Sequence, residues 1–158
     1  MNVNFTIRQI DDLKDLRLLR AWLHTQNLNY PFYDDWIDST CIPEIEKNYK
    51  TAIIALNDGK IVGDFIWQSH KELPRTIEGK NMRIHPDVRE RGLAYFLFKQ
   101  CEAESKGHFD IMMVDIPEDQ QNVKLFLFRY GFRILYHAPL YSNNRLETVM
   151  VKELRKIA

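Results

Sequence analysis

Neither sign of charge prevails in this chain. Lysine plus arginine and aspartate plus glutamate each total 22 of its 158 residues, a formal balance of zero. No bulk field therefore points to nucleic acid or to an anionic membrane as a partner. Long apolar runs are missing too. None approaches the roughly 20 residues a membrane span needs, and the opening "MNVNFTIRQIDD" has no apolar stretch of the kind a secretory leader carries. Cysteine is scarce: Cys41 and Cys101 do not have metal-ligand spacing. The expectation is two free thiols in a reducing cytoplasm and no metal. Internal repeats, low-complexity tracts and a glycine-rich loop ending in Lys-Ser or Lys-Thr are also lacking. With 45% hydrophobic and 28% charged residues, what is left is an ordinary globular chain, expected as a single domain over residues 1–158.

Periodicity then orders the chain. Residues 3 to 9, "VNFTIRQ", alternate as a strand does, and Asp11 or Asp12 can cap a helix whose Leu13, Leu16, Leu19 and Leu23 recur at helical spacing. The aromatic connection "NLNYPFYDDWID" leads to a second helix expected around residues 34 to 48. "TAIIALNDGKIVGDFIWQSH" reads as a hairpin turning at "NDGK". There follow a strand "IEGKNMRIH", a helix over about 91 to 106, a strand "FDIMMVDI", a helix "DQQNVKLFLFRYG" and two strands, "FRILYHAPLY" and "LETVMVKEL". This order specifies a mixed α/β domain.

The third helix begins oddly. "IHPDVRERGLAYFLFKQCEAE", residues 84 to 104, places Arg89 and Arg91 at the helix start, around a lone Gly92, with no Ser, Thr, Asp or Asn cap immediately before it. A helix N-terminus carries partial positive charge and unpaired N–H groups, so an anion is expected there. Helical spacing assigns Leu93, Phe96, Leu97 and Cys101 to the buried face of this helix, leaving Lys99, Glu102 and Lys106 in water.

The segment Arg89-Glu90-Arg91-Gly92-Leu93-Ala94, entered from Ile84-His85-Pro86, resembles the R/Q-x-x-G-x-G/A signature of the GNAT superfamily of acyl-CoA-dependent N-acetyltransferases. "YGF" at 130 to 132 falls where that superfamily has a Gly-Phe pair, and the order of elements matches over essentially the whole chain. The resemblance implies the GNAT fold, α/β (α+β), with a mixed, mostly antiparallel central sheet of about six or seven strands and about four flanking helices. It implies acetyl-CoA as co-substrate, with the pyrophosphate on the start of the third helix. The cofactor-binding residues would then be Arg89, Glu90, Arg91, Gly92, Leu93, Ala94 and Tyr95. The pantetheine arm would lie along Met82, Arg83 and Ile84 as an added strand, within reach of Asn122 or Gln120.

One position departs from the pattern. Relatives often carry a tyrosine four residues before the glycine of Gly-Phe, poised to protonate the leaving thiolate; here it is Leu127. Water, Tyr136 or Tyr141 could supply that proton, and Tyr130 lies a turn away on the same helix. As base, the candidates are Glu78, at an offset some relatives use, and His85, otherwise a turn residue before Pro86. The acceptor is expected near Tyr30, Tyr33 and Trp36, with Asp115 opposite and Asp34, Asp35 and Asp38 to attract an amine. The plainer alternative for "YPFYDDWID" is an aromatic core segment followed by an acidic helix start. The expected activity is direct transfer of an acetyl group to an amine in a ternary complex. The acceptor would be a small molecule, a peptide or a protein, and the chain a monomer or a homodimer. A non-catalytic acyl-CoA-binding module is the alternative that Leu127 favours, and a purely structural partner protein the third.

Overall fold

The structure is a computed structural model that describes residues 4–154. Seven strands follow the order β1-β2-β3-β4-β5-β7-β6. They are β1 (Thr6–Gln9), β2 (Thr51–Asn57), β3 (Lys60–Ser69), β4 (Thr76–Ile84), β5 (Ile111–Pro117), β6 (Arg133–Ser142) and β7 (Arg145–Glu153). The helices are α1 (Leu13–His24), α2 (Tyr33–Trp36), α3 (Ile42–Glu46), α4 (Leu93–Glu104) and α5 (Gln121–Tyr130). This is the mixed α/β sheet and the element order that the sequence specifies. The chain divides into two compact units, one holding residues up to Gln68 with Lys80–Glu104, the other Ser69–Gly79 with the residues from Ser105 onward.

In the first unit, β1, β2 and β3 pair antiparallel in sequence. Asp58 and Gly59 form the β2–β3 turn with φ of 50° and 72°, and Asn57 pairs with Lys60 across it. Two successive positive φ values match the right-handed twist of the strands, which is why "NDGK" was readable as a hairpin. Alternation along β2 and β3 then sorts two faces. Ala52, Ile54 and Ile66 pack with Leu16, Leu19, Trp22 and Leu23 of α1 and with Tyr33, Ile37, Cys41 and Ile45. Phe65 turns the other way and meets Phe98 of α4 edge to face at 5.0 Å.

Two sequence expectations change here. The second helix is not uniform: between α2 and α3, Ile37–Cys41 form a π-helical turn, closed by the Ile42 N–H on the Ile37 carbonyl. One extra residue in the turn lets Tyr33, Ile37, Cys41 and Ile45 all face the core. On α4 the buried residues are Leu93, Leu97, Phe98 and Cys101, whereas Phe96 is 54% exposed. "AYFLF" offers two apolar faces of similar spacing, and Phe65 selects the one carrying Phe98.

In the second unit, β7 is central, antiparallel to β5 on one side and to β6 on the other. The first residues of β4 run parallel to β5, pairing Thr76 with Ile111, Ile77 with Met112 and Glu78 with Met113. Helix α5 ends at Gly131, whose φ of 111° closes the helix with its N–H on Leu127 and Phe128 carbonyls. Lys152 lies over the Tyr130 ring at 4.7 Å, so Tyr130 is a packing residue of this helix end.

Candidate functional site

The segment from β4 to α4 has an unusual backbone. His85 leaves the strand, donates its N–H to the Val62 carbonyl at 2.8 Å, and caps a short turn, Pro86–Val88, by accepting the Asp87 N–H on Nδ1. Glu90 and Gly92 then take φ of 61° and 77°, with Arg91 between them outside the positive-φ set and the helix starting at Leu93. Alternation of the sign of φ turns successive N–H groups toward one side, the concavity that binds anions in phosphate loops. The first helical bond runs from the Phe96 N–H to the Gly92 carbonyl. Among the described residues the Leu93 and Ala94 amides meet no acceptor, so the expected caps are indeed missing. Arg89 and Arg91 are both exposed beside them, and Arg91 has no carboxylate partner among the described residues. A cation-flanked, uncapped helix start of 12 residues is suited to a polyanion.

Strand β4 sets the direction of its backbone groups. A Cβ placed on Gly63 of β3 would lie 3.3 Å from the Arg83 carbonyl oxygen and 3.2 Å from the Leu93 side chain. The Arg83 carbonyl thus faces β3, and by strand alternation the main-chain groups of Met82 and Ile84 face the opposite edge. Two guanidinium groups already use that edge. Arg83 Nη1 donates to the Met82 carbonyl at 2.9 Å, and Arg89 Nε donates to the Ile84 carbonyl at 3.2 Å. Arg83 also donates from Nε to the Gln26 carbonyl at 3.0 Å and sits over the rings of Tyr30 and Tyr33 at 5.8 and 5.7 Å. It ties the segment after α1 to the edge of β4. Tyr95, by contrast, is exposed on α4, its ring against Phe96 with Lys99 above it.

Behind this edge is a buried polar node that the sequence did not signal. Asp64 of β3 is wholly buried and accepts hydrogen bonds from Trp22 Nε1 and Asn81 Nδ2, each at 2.7 Å. Burial pushes its carboxyl up to about 6, against the pull of those two donors and of Arg83. The Trp22 ring in turn stacks on His85, 6.3 Å between centroids. Since His85 Nδ1 accepts a backbone N–H, its neutral ring carries the proton on Nε2. Nε2 is therefore a donor, suited to holding an oxygen and not to taking a proton from an amine.

The aromatic segment behaves mainly as core. Tyr33 is 5% exposed, its phenol pushed above its ordinary range by burial, and it stacks with Trp36 at 5.9 Å. The nearby acids are engaged on α1: His24 is hydrogen-bonded to Asp34 and Asp38, both at 2.9 Å, and Arg20 makes two bonds to Asp38. Asp34 and Asp38 are therefore committed to α1, a correction to their reading as free attractors of an amine.

In the second unit, Asp115 and Glu147 share one face of the sheet, since Asp115 pairs with Val149 and Pro117 with Glu147. Two extra residues of β6 bulge between the pairs Ala138–Glu147 and Ser142–Arg145, and from that bulge the Tyr141 hydroxyl donates to Asp115 Oδ2 at 2.8 Å. Tyr136 pairs with Val149 on the same face and is exposed. Glu147 is wholly buried, bonded by Arg145 Nε at 2.9 Å, and burial raises its carboxyl above the ordinary range. Glu78 is the last residue of β4 paired with β5, Asn122 is exposed in the first turn of α5, and Leu127 is that helix's buried residue. Asp115 with Tyr141 and Tyr136 is the grouping the structure makes from residues scattered in sequence. Glu147 joins them without having been singled out, because a lone Glu between Leu146 and Thr148 carries no sequence signal.

Neither a protein-family profile nor a curated protein matches the sequence. Solved structures do match the fold. The ribosomal-protein-S18-alanine N-acetyltransferase from Escherichia coli superposes with a TM-score of 0.77 at 13% identity, over 98% of this chain and 97% of its own. An acetyltransferase of the GNAT family from Streptococcus pneumoniae gives 0.74 at 15% identity, over 96% and 100%. An aminoglycoside 6'-N-acetyltransferase complexed with coenzyme A gives 0.75 at 13% identity, over 95% and 97%. The chain has the GNAT fold, in line with the resemblance drawn from Arg89–Ala94 and the element order. No helix among the described residues is long and apolar enough to cross a membrane.

Proposed function

We propose that this protein is an N-acetyltransferase that moves an acetyl group from acetyl-CoA to an amine by direct attack within a ternary complex. The observation that carries the reading is the start of α4, where two positive φ values, uncapped amides and two exposed arginines make a seat for a polyanion. Arg89, Glu90, Arg91, Gly92, Leu93, Ala94 and Tyr95 would frame the pyrophosphate, the backbone amides doing the binding. Met82 and Ile84 offer main-chain groups along the outer edge of β4 to amides of the pantetheine arm, with Arg83 and Arg89 yielding their bonds to it. Asn122 is the second-unit candidate for a further amide contact.

In the reaction, the lone pair of a neutral amine attacks the thioester carbonyl carbon and the carbon–sulfur bond breaks. The nitrogen gives up a proton and the departing thiolate gains one. Glu78 is the candidate acceptor of the first proton, with water as the other. Tyr136, or water, is the candidate donor of the second. His85, with its N–H on Nε2, suits polarisation of an oxygen rather than base catalysis. Asp115, bridged to Tyr141, is a carboxylate able to hold an ammonium, and Tyr30, Tyr33 and Trp36 support the acceptor side from within the core. The acceptor is an amine of a small molecule, peptide or protein.

A specific observation keeps a second reading in play: the position of the usual proton donor is Leu127, 2% exposed and apolar, which fits an acyl-CoA-binding module without turnover. Calorimetric titration of coenzyme-free protein with acetyl-CoA is the first test, with micromolar binding expected; absence of heat from folded protein would remove the cofactor from this reading. Release of free thiol from acetyl-CoA over a panel of amines then separates the enzyme from the silent module.

A further inference from the structure

Among the described residues of the first unit, Arg8 and Arg83 are the arginines drawn partly out of water. An arginine in that position ordinarily sets its fork of N–H groups on a carboxylate. Arg8 does so on Asp15. Arg83 does not. Its Nε and Nη1 rest on the main-chain carbonyls of Gln26 and Met82, and the rings of Tyr30 and Tyr33 lie under the guanidinium. Nη2 meets no acceptor, and Arg83 makes no ion pair among the described residues. Asp64 acts on it only at a distance, its two oxygens being taken by Trp22 and Asn81. Asp34 and Asp38 are held on α1 by His24 and Arg20. Below the guanidinium is a second unmet donor. The Tyr33 hydroxyl is buried and has no partner among the described residues, in a side chain 5% exposed. Burial holds that phenol above its ordinary range, so it keeps its proton and has an O–H to give. Buried polar groups are seldom left so.

We propose that Arg83 binds a carboxylate on the acceptor, so that the amine this protein acetylates is an amino acid or another small amine carrying a carboxylate. The proposal rests on the acetyltransferase reading for what happens to the amine, and on Arg83 and Tyr33 for the carboxylate. Nη2 is open to the ligand as it stands. The bond from Nη1 to the Met82 carbonyl is the one that the pantetheine arm replaces, and its loss opens Nη1 beside Nη2. A complete fork for two carboxylate oxygens therefore forms once the cofactor is in place, and the Tyr33 hydroxyl gains an acceptor. A single negative charge suits this position better than a phosphate, because Asp64 lies behind Arg83 and repels each added charge. The flanking segment is also strained. Asn29 and Phe32, on either side of Tyr30, take φ of 61° and 58°, a region unfavourable to residues other than glycine and found at ligand clamps.

Saturation-transfer NMR of the full chain, titrated with common α-amino acids and with their carboxamides, tests this without any turnover. At least one amino acid should bind about tenfold or more tightly than its amide, the scale of a charge-assisted pair, and more tightly still with coenzyme A present. Arg83→Gln should abolish that preference. Arg83→Lys, which keeps the charge and loses the fork, should keep part of it, and melting temperatures show whether each variant is folded. In thiol release from acetyl-CoA the same ranking should appear, carried by KM more than by kcat. Acids and amides that bind alike overturn the proposal. So does the absence of binding by every acid, with or without coenzyme A, or a preference that survives Arg83→Gln. A preference that depends on Arg83 in a protein that does not bind coenzyme A supports the carboxylate site and strikes the cofactor reading instead.

Discussion

Helices α1 and α4 each run for 12 residues in the same unit and each bury an apolar face, yet their polar groups are treated differently. Polar groups pin α1 along its length. Asp12 caps its start by accepting the Asp15 N–H at 2.8 Å. Asp15 takes a forked pair from Arg8, Trp22 reaches Asp64, and His24 closes the far end on Asp34 and Asp38. Helix α4 is held by Leu93, Leu97, Phe98 and Cys101, and its start is left to amides and arginines. A helix whose first turn is satisfied by its own chain has no use for a ligand there. One whose first turn is left open and surrounded by cations is prepared for one. If that difference is functional, the two helices should respond to mutation in separate currencies, α1 in stability and α4 in affinity.

The largest effect should come from the node under α1. Burial pushes the folded Asp64 carboxyl up to about 6, well above an ordinary aspartate, which titrates near about 4. A group raised on folding contributes stability that is complete below its unfolded pKa and lost as pH rises through the folded one. Between pH 4 and 7.5, Asp64 should therefore cost roughly 2 kcal/mol. Denaturant unfolding of wild type and Asp64→Asn over that range should show the difference as a slope present in one and flattened in the other. Equal slopes would place the titration elsewhere.

Next in size is the start of α4. Arg91→Glu puts a negative charge where a polyanion is expected and should weaken acetyl-CoA binding about tenfold, near 1.4 kcal/mol, with little change in melting temperature because Arg91 is exposed. An unchanged dissociation constant would take Arg91 out of the site. The counterpart on α1 is Asp12→Ala, which removes a cap and should cost about 1 kcal/mol of stability while leaving acetyl-CoA affinity alone. An affinity change at Asp12, measured by the same calorimetry, would erase the distinction between the two helices.

Much of this contrast could be read before the structure. The cap at Asp11 or Asp12, the "NDGK" turn and the uncapped arginines before Leu93 are local signals, each decided by a few neighbouring residues. What escaped was decided by distant ones. Trp22 and Asp64 are 42 positions apart, and only their meeting makes Asp64 a buried acceptor. Phe98 displaced Phe96 from the core because Phe65 is where it is. The π-turn at Ile37–Cys41 spends one residue to align Tyr33 with Ile45, and no residue in "IDSTC" announces it. Tyr141 reaches Asp115 only through the bulge in β6, which sequence alternation hides. The acids Asp34 and Asp38 looked available because their partners, Arg20 and His24, lie on another helix.

That last pairing gives the smallest and most specific expectation. Hydrogen bonds that it donates to Asp38 and then Asp34 hold the His24 imidazole above its usual range, and Arg20 followed by His24 holds Asp38 below the usual carboxylate range. The two shifts bound a window. His24 contributes stability below its unfolded pKa of about 6.5 and loses it as pH rises through its raised folded value. Asp38 contributes above its unfolded value near 4 and loses it as pH falls through its depressed one. The clasp between α1 and the α2 segment is thus strongest in mildly acidic solution and relaxes above neutrality. All four side chains reach solvent, so salt should shrink the effect. A small fall in melting temperature from pH 6 to pH 8.5 is expected in wild type beyond that of His24→Gln, with the excess reduced in about 0.5 M salt, where screening is strong. If His24→Gln tracks wild type through that range, the imidazole does not carry the clasp and Arg20 alone holds Asp38. In that case the end of α1 is pinned by a permanent charge, and only its start and its middle distinguish it from α4.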